Sequence, residues 1–258
     1  MNRDLFLFIR HSPDTFAPYN TTIDQAKEGT NMSQIGRKEL KFAISIPEYH
    51  ILIHKLKWLM TRDEHAGRDG KYHIRSAYFD NMDDRILTEK KEGYLNRDKY
   101  RVRIYNLSTS VIHLERKSKR NNQTFKTKCP LARKEYEAIR RGETEWMEDD
   151  VRPLIRDLYG EMTRRLIKPV AVVDYEREAY TYPYGNVRIT FDQNIRTSLR
   201  NTAMFDRNLP MVPVMEEPLI ILEVKFDEYL PDMIKYALQA VDTRTEAYSK
   251  YQLSRMFG

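Results

Sequence analysis

Period-two alternation of apolar and polar residues dominates the chain from about residue 72 onward. It marks β-strands, because successive side chains of a strand point to opposite faces. Segments 72–79, 85–91, 98–105, 111–118 and 123–129 read this way, followed by 170–180, 186–193 and 218–226, and 37–46 reads as a further strand. Ser45 with Glu48 three residues on, and Pro47 between them, predict a helix start. Ile51, Leu52, Leu56, Leu59 and Met60 then carry helical spacing to about residue 61, and a polar loop from Arg62 to Gly70 follows. Helical patterns return over 131–141, 147–166 and 231–242, the last with Ile234, Leu238 and Val241 on one face. Mostly consecutive strands joined by short turns predict an antiparallel sheet of α+β class. Residues 1–35 lack such periodicity and read as an N-terminal extension with room for one strand; residues 36–258 read as one domain.

The polar faces of these strands are unusual. Lys99, Arg101 and Arg103 oppose Tyr100, Val102 and Ile104, while Glu115, Lys117 and Lys119 share a face opposite Ile112 and Leu114. Thr124, Lys126 and Lys128 align on 123–129, and Tyr175 with Arg177 on 170–180. Arg188, Thr190 and Asp192 oppose Val187, Ile189 and Phe191, and Glu223 with Lys225 opposes Leu222 and Val224. Arginine offers a planar fork and lysine a compact charge for phosphate oxygens. If helices cover the apolar faces of a sheet closed into an eight-stranded barrel, the charged faces line its interior. Unpaired charges there cost several kcal/mol each. Such an interior must be wet and hold counter-anions, so the expectation is a tunnel for a polyanion.

Net charge adds little: 44 Lys and Arg against 38 Asp and Glu leave +6. With 17 Tyr, 10 Phe and 2 Trp the chain has ample core material, which excludes wholesale disorder. The longest apolar runs, such as Leu5–Ile9, fall far short of the roughly 20 residues of a membrane helix. No signal peptide is visible, and the single Cys129 forbids an internal disulfide; both point to the cytoplasm.

The ordered pieces Arg37-x-Glu39-x-Lys41, Ser76-Ala77-Tyr78-Phe79-Asp80 and Lys99-Tyr100-Arg101-Val102-Arg103 continue through Leu114-Glu115-Arg116-Lys117 and Tyr175-x-Arg177. Val187-Arg188-Ile189-Thr190, Leu222-Glu223-Val224-Lys225 and Ser249-Lys250-Tyr251 complete them. Together, over about residues 36–253, they resemble the VTC (vacuolar transporter chaperone) domain, the polyphosphate polymerase branch of the CYTH-like triphosphate tunnel superfamily. The resemblance implies an antiparallel eight-stranded β-tunnel, a closed barrel with helices packed outside. It implies a metal-dependent phosphotransferase that moves the γ-phosphoryl group of ATP onto inorganic polyphosphate, with Mn²⁺ or Mg²⁺ as cofactor. Lys41, Arg101, Arg103, Lys117, Arg177, Arg188 and Lys250 would be the catalytic cations. Lys126 (preferred over Lys128), Tyr175, Ser249 and Lys225 would contact substrate. Glu223 would hold the metal, with Glu39 and Glu115 as further metal or water-positioning candidates.

Two departures stand out. Eukaryotic relatives carry a further lysine where this chain has Ala247, and hydrolytic relatives carry Glu-x-Glu-x-Lys where this chain has Arg37. The second argues against two-metal hydrolysis. A tunnel triphosphatase, a nucleotide cyclase and a non-catalytic polyphosphate-binding module stay open as alternatives. The chain has no membrane span of its own, although eukaryotic relatives sit in membrane assemblies.

Other motifs reduce to structure. Arg10-His11 after an apolar run resembles the start of a histidine phosphatase, but no histidine follows His113 to act as its partner. His50 and His54 lack the zincin glutamate between them. The basic run Arg116–Lys134 has only Phe125 for base stacking, so nucleic acid is not the expected partner. Cys129 reads as inert.

Overall fold

The computed structural model describes residues 21–24, 37–121, 123–214, 218–242 and 249–255. A single sheet organises them. Its hydrogen-bonded path starts with β1 (Thr21–Asp24) and runs through β7 (Gln123–Pro130), β6 (His113–Arg120), β5 (Arg97–Tyr105) and β4 (Lys71–Asp80). It continues through β8 (Lys168–Tyr182), β9 (Val187–Thr197) and β11 (Ile220–Phe226) to β2 (Lys38–Ile44). Two short strands, β3 (Thr61–Arg62) and β10 (Val212–Pro213), pair with β8 and β9. All pairs are antiparallel except β1 with β7.

The sheet curls into a half-barrel, which corrects the expectation of a closed eight-stranded barrel. Its path has nine strands, and among the described residues no ladder joins β1 to β2. The strand at that seam, β1, is four residues long and uses its register on β7. Side chains bridge the walls instead: Lys117 Nζ on β6 lies 3.6 Å from Glu39 Oε2 on β2.

The longer helices cover the outer, apolar face of the sheet, as the alternation requires. Helix α1 (Ile46–Leu59) starts at Ser45, whose hydroxyl accepts from the Glu48 amide while Glu48 Oε2 accepts from the Ser45 amide at 2.7 Å. Leu52 and Leu56 pack with Phe42, Phe191, Leu222 and with Ile234 of α5 (Asp232–Leu238). Helices α3 (Arg133–Arg141) and α4 (Pro153–Arg165) bury Tyr136, Ile155 and Leu158 against Val102, Ile104 and Leu114. At roughly 25 cal/mol per Å² of apolar surface, covering these faces drives the curl.

Segment 85–91 is helix α2 (Arg85–Lys91), not the strand its alternation predicts. Asp80, at the end of β4, accepts from the amides of Ile86 (2.9 Å) and Leu87 (3.2 Å) and so caps the helix from its N-terminal side. A short apolar pair cannot distinguish the two periods. A five-residue helix, α6 (Lys250–Ser254), docks onto the same carboxylate through the Tyr251 hydroxyl at 2.6 Å. Of the N-terminal extension only β1 is described; Leu5–His11 and Ala247 lie outside the described residues.

Candidate active site

The concave face of the sheet encloses a cavity of about 500 Å³. Fifteen of its lining residues are lysine or arginine and three are glutamate. Every cation expected to be catalytic lines it, together with Lys126, Tyr175, Ser249, Lys225, Glu223, Glu39 and Glu115. Lys128 does not; it is exposed on β7, which favours Lys126 for that position.

Register explains the convergence, since inward residues of adjacent strands fall into rows. Glu223 is opposite Lys41 and Lys225 opposite Glu39 on β11 and β2. Arg177 is opposite Asp192 on β8 and β9, and Arg101 opposite Glu115 on β5 and β6.

Three acidic hubs hold the cations. In the first, Lys41 bridges Glu39 and Glu223, the latter at 3.3 Å, and Lys225 Nζ lies 2.6 Å from Glu223. Burial and the neighbouring Glu223 push the Glu39 carboxyl up, but Lys117, Lys41 and Lys225 outweigh them and bring it down to about 2. For Glu223, Lys225 and Lys41 overcome burial and hold the pKa well below the ordinary range. In the second hub Glu115 receives Arg101 at 2.6 Å and Lys126 at 3.0 Å, with Arg103 at 3.9 Å. In the third, Asp192 binds the Arg177 guanidinium through both oxygens, at 2.6 and 2.7 Å, and pairs with Lys250. Burial opposes the ionised form of Asp192, and these two cations reverse that, depressing its pKa.

Tyr175 joins the second and third hubs. Its hydroxyl accepts from Arg103 at 3.0 Å, and its ring sits under both Arg177 and Lys250, 5.4 and 4.8 Å from the centroid. Arg188 donates to Tyr72 at 3.2 Å and pairs with Asp63 at 2.5 Å.

Sequence reasoning assigned no role to Asp192, Asp63, Lys90, Arg97, Lys99 or Lys119. Strand parity placed Asp192, Lys99 and Lys119 on the correct faces, and Arg97 follows by starting the 98–105 segment one residue earlier. Asp63 and Lys90 had no signal, because a loop and a misread helix deliver them.

The other motifs sit elsewhere. The basic run Arg116–Lys134 is split: Arg116, Lys117, Lys119 and Lys126 line the cavity, Arg116 also pairing with Asp157 at 2.7 Å, while Arg133 stacks on Phe205. His50 and His54 are exposed on α1, and no group of three potential metal-ligating residues occurs among the described residues. Burial pushes the Cys129 thiol up to about 11, away from nucleophilic use.

The family model described as the VTC domain matches residues 36–257. No curated protein matches. Among solved structures, a protein described as a candidate adenylate cyclase from Bacillus halodurans is 13% identical, with a TM-score of 0.45 over 78% of this chain and 84% of its own. A Pyrococcus horikoshii protein is 17% identical with a TM-score of 0.42, over 84% of this chain and 97% of its own. Both likenesses are remote, and no activity is carried over from them. No helix among the described residues is long and apolar enough to cross a membrane.

Proposed function

Because the chain belongs to the VTC domain family, we propose that its cavity transfers the γ-phosphoryl group of ATP onto the end of an inorganic polyphosphate chain. The observation that carries this reading is the imbalance of fifteen cations to three glutamates on one concave wall. A site built for a neutral or singly charged ligand has no use for that excess.

Phosphoryl transfer needs positioning and charge neutralisation more than covalent help. The acceptor is a phosphate oxygen already ionised near neutral pH, so the reaction needs no histidine, cysteine or aspartate nucleophile, and none lines the cavity among the described residues. Arg101, Arg103, Arg177 and Arg188 present forked donors, and Lys41, Lys117, Lys126 and Lys250 add point charges. These cations rest on Glu39, Glu115, Asp192 and Asp63. Incoming phosphate oxygens compete with those carboxylates, so the cations are never left buried and unpaired.

A hard divalent cation fits the first hub. Glu39 Oε2 is buried without a hydrogen-bond partner beside Glu223, and magnesium or manganese is commonly held by one or two carboxylates plus substrate phosphates. Glu223 and Glu39 would hold it, and it would neutralise charge on the reacting phosphates. Glu115, engaged by Arg101 and Lys126, is the weaker candidate.

Incubating the protein with ATP and Mn²⁺ tests the reading. Long acid-labile polymer supports it. Free phosphate alone would make the protein a triphosphatase, cyclic nucleotide a cyclase, and tight polyphosphate binding without turnover a binding module.

A further inference from the structure

Along β5 and β6 the cross-strand charge pattern changes sign of balance. Arg101 faces Glu115, an opposite-charge pair, but the next two inward pairs are Lys99 with Lys117 and Arg97 with Lys119. Lys117 in turn faces Lys126 on β7, so three lysines stand abreast on three adjacent strands. Like charges directly opposite one another destabilise a sheet.

Carboxylates offset only part of this. Lys126 has Glu115 at 3.0 Å, and Lys117 has Glu39 at 3.6 Å across the seam. Neither Lys99 nor Lys119 pairs with a carboxylate among the described residues. The acidic neighbour of Arg97 is Glu89, which Arg85 holds at 3.1 Å, and Arg97 itself donates to the Tyr94 carbonyl at 2.6 Å. From α2, Lys90 lines the same cavity and donates to the Gln252 side chain at 2.6 Å.

We propose that Lys99, Arg97, Lys119 and Lys90 form a second phosphate subsite, continuous with Lys117, that holds the polyphosphate chain beyond the phosphates gripped by the arginines. This rests on the polyphosphate reading of the cavity. Burial, with Lys90, Arg97 and Lys117 next in weight, depresses the Lys99 pKa well below that of a free lysine, in keeping with an ammonium short of counter-charge. Bound phosphate oxygens supply it, and the subsite selects for chain length because a triphosphate anchored at the arginine hubs leaves it empty.

Calorimetric affinities for tripolyphosphate and for long-chain polyphosphate, compared in wild type, the Arg97→Ala/Lys99→Ala double variant and Lys99→Arg, test this. Wild type should favour the long chain by about tenfold or more, the scale of one charge-assisted hydrogen bond. The double variant should lose most of that ratio, and Lys99→Arg should keep it. In the absence of anion the double variant should melt about 1–3 °C higher, since like-charge repulsion has been removed. An unchanged ratio in a folded double variant overturns the subsite while leaving the cavity's phosphate role intact. Failure of wild type to bind tripolyphosphate overturns both.

Discussion

Glu223 on β11 stands one ladder step across from Lys41 on β2 and lies 3.3 Å from its ammonium. Lys225 grips the same carboxylate at 2.6 Å, so Glu223 is an anion held between two lysines. On the proposed function, that arrangement predicts that binding and turnover can be separated.

Replacing Glu223 with Gln removes the anion and keeps the shape. Lys41 and Lys225 are then released toward phosphate, so tripolyphosphate affinity should hold or rise. Turnover with ATP and Mn²⁺ should drop by at least about 100-fold, the scale of losing one electrostatic stabiliser. Full activity in Glu223→Gln would show that the metal assignment is wrong.

Arg101→Ala combined with Arg103→Ala strips the second hub of its forked donors and leaves Glu115 facing Lys126 alone. Triphosphate affinity should fall about 100-fold, from two charge-assisted hydrogen bonds at about 1.5–3 kcal/mol each, discounted for partial compensation by neighbouring cations. Isothermal titration checks it, and an unchanged affinity contradicts the cavity reading.

Binding should weaken in alkaline solution. Glu39 pulls the Lys117 pKa up, but desolvation together with Lys41 and Lys225 brings it down to about 8. Lys90 also lies near 8, chiefly through burial. Phosphate favours the protonated forms, so above about pH 8 binding must take up protons and affinity must fall. Titrations in buffers of different ionisation enthalpy measure the uptake. Zero uptake at pH 9 would contradict these assignments.

Acid should loosen the same walls. Glu39, held at about 2 in the fold, contributes stability that is complete above its ordinary value near 4.5 and is lost as pH falls toward 2. Asp192 behaves alike, its folded pKa being depressed by Arg177 and Lys250 against burial. Glu39→Gln should flatten the melting-temperature profile between about pH 4.5 and 2; a profile parallel to wild type would exclude Glu39 as a contributor.

Tyr251 ties helix α6 to the cavity: its hydroxyl donates to Asp80 at 2.6 Å and its ring stacks on Tyr78 at 5.3 Å. Tyr251→Phe keeps the stacking and leaves a buried acceptor short of one donor, costing about 1–3 kcal/mol of stability. Tripolyphosphate affinity should fall with it, because α6 carries Lys250. A normal melting temperature with weakened binding would assign the hydroxyl to substrate instead.

Strand parity made most of the cavity legible. Arg101, Lys117, Arg177, Arg188 and Glu223 fall on polar faces by the period of two alone, Lys41 comes from the family resemblance, and the capping box at Ser45 sets the start of α1. Parity says nothing about partners across the sheet. That Asp192 rather than Glu223 receives Arg177 depends on the β8–β9 register, and Asp63 reaches Arg188 from a loop with no periodicity to read. The strand expected at 85–91 became a helix because Asp80, outside that segment, caps it.

The sequence by itself determined which faces are apolar, which are cationic, and that both lie on one antiparallel sheet. Alternation is a local property of strand geometry and survives any tertiary arrangement. Only the tertiary structure decided that the sheet stops at a half-barrel, with an ion pair from Lys117 to Glu39 bridging the walls, and that like charges meet at Lys99 and Lys117. Closure and register are set by helix packing and by which strands find backbone partners, and those terms couple residues far apart in the chain.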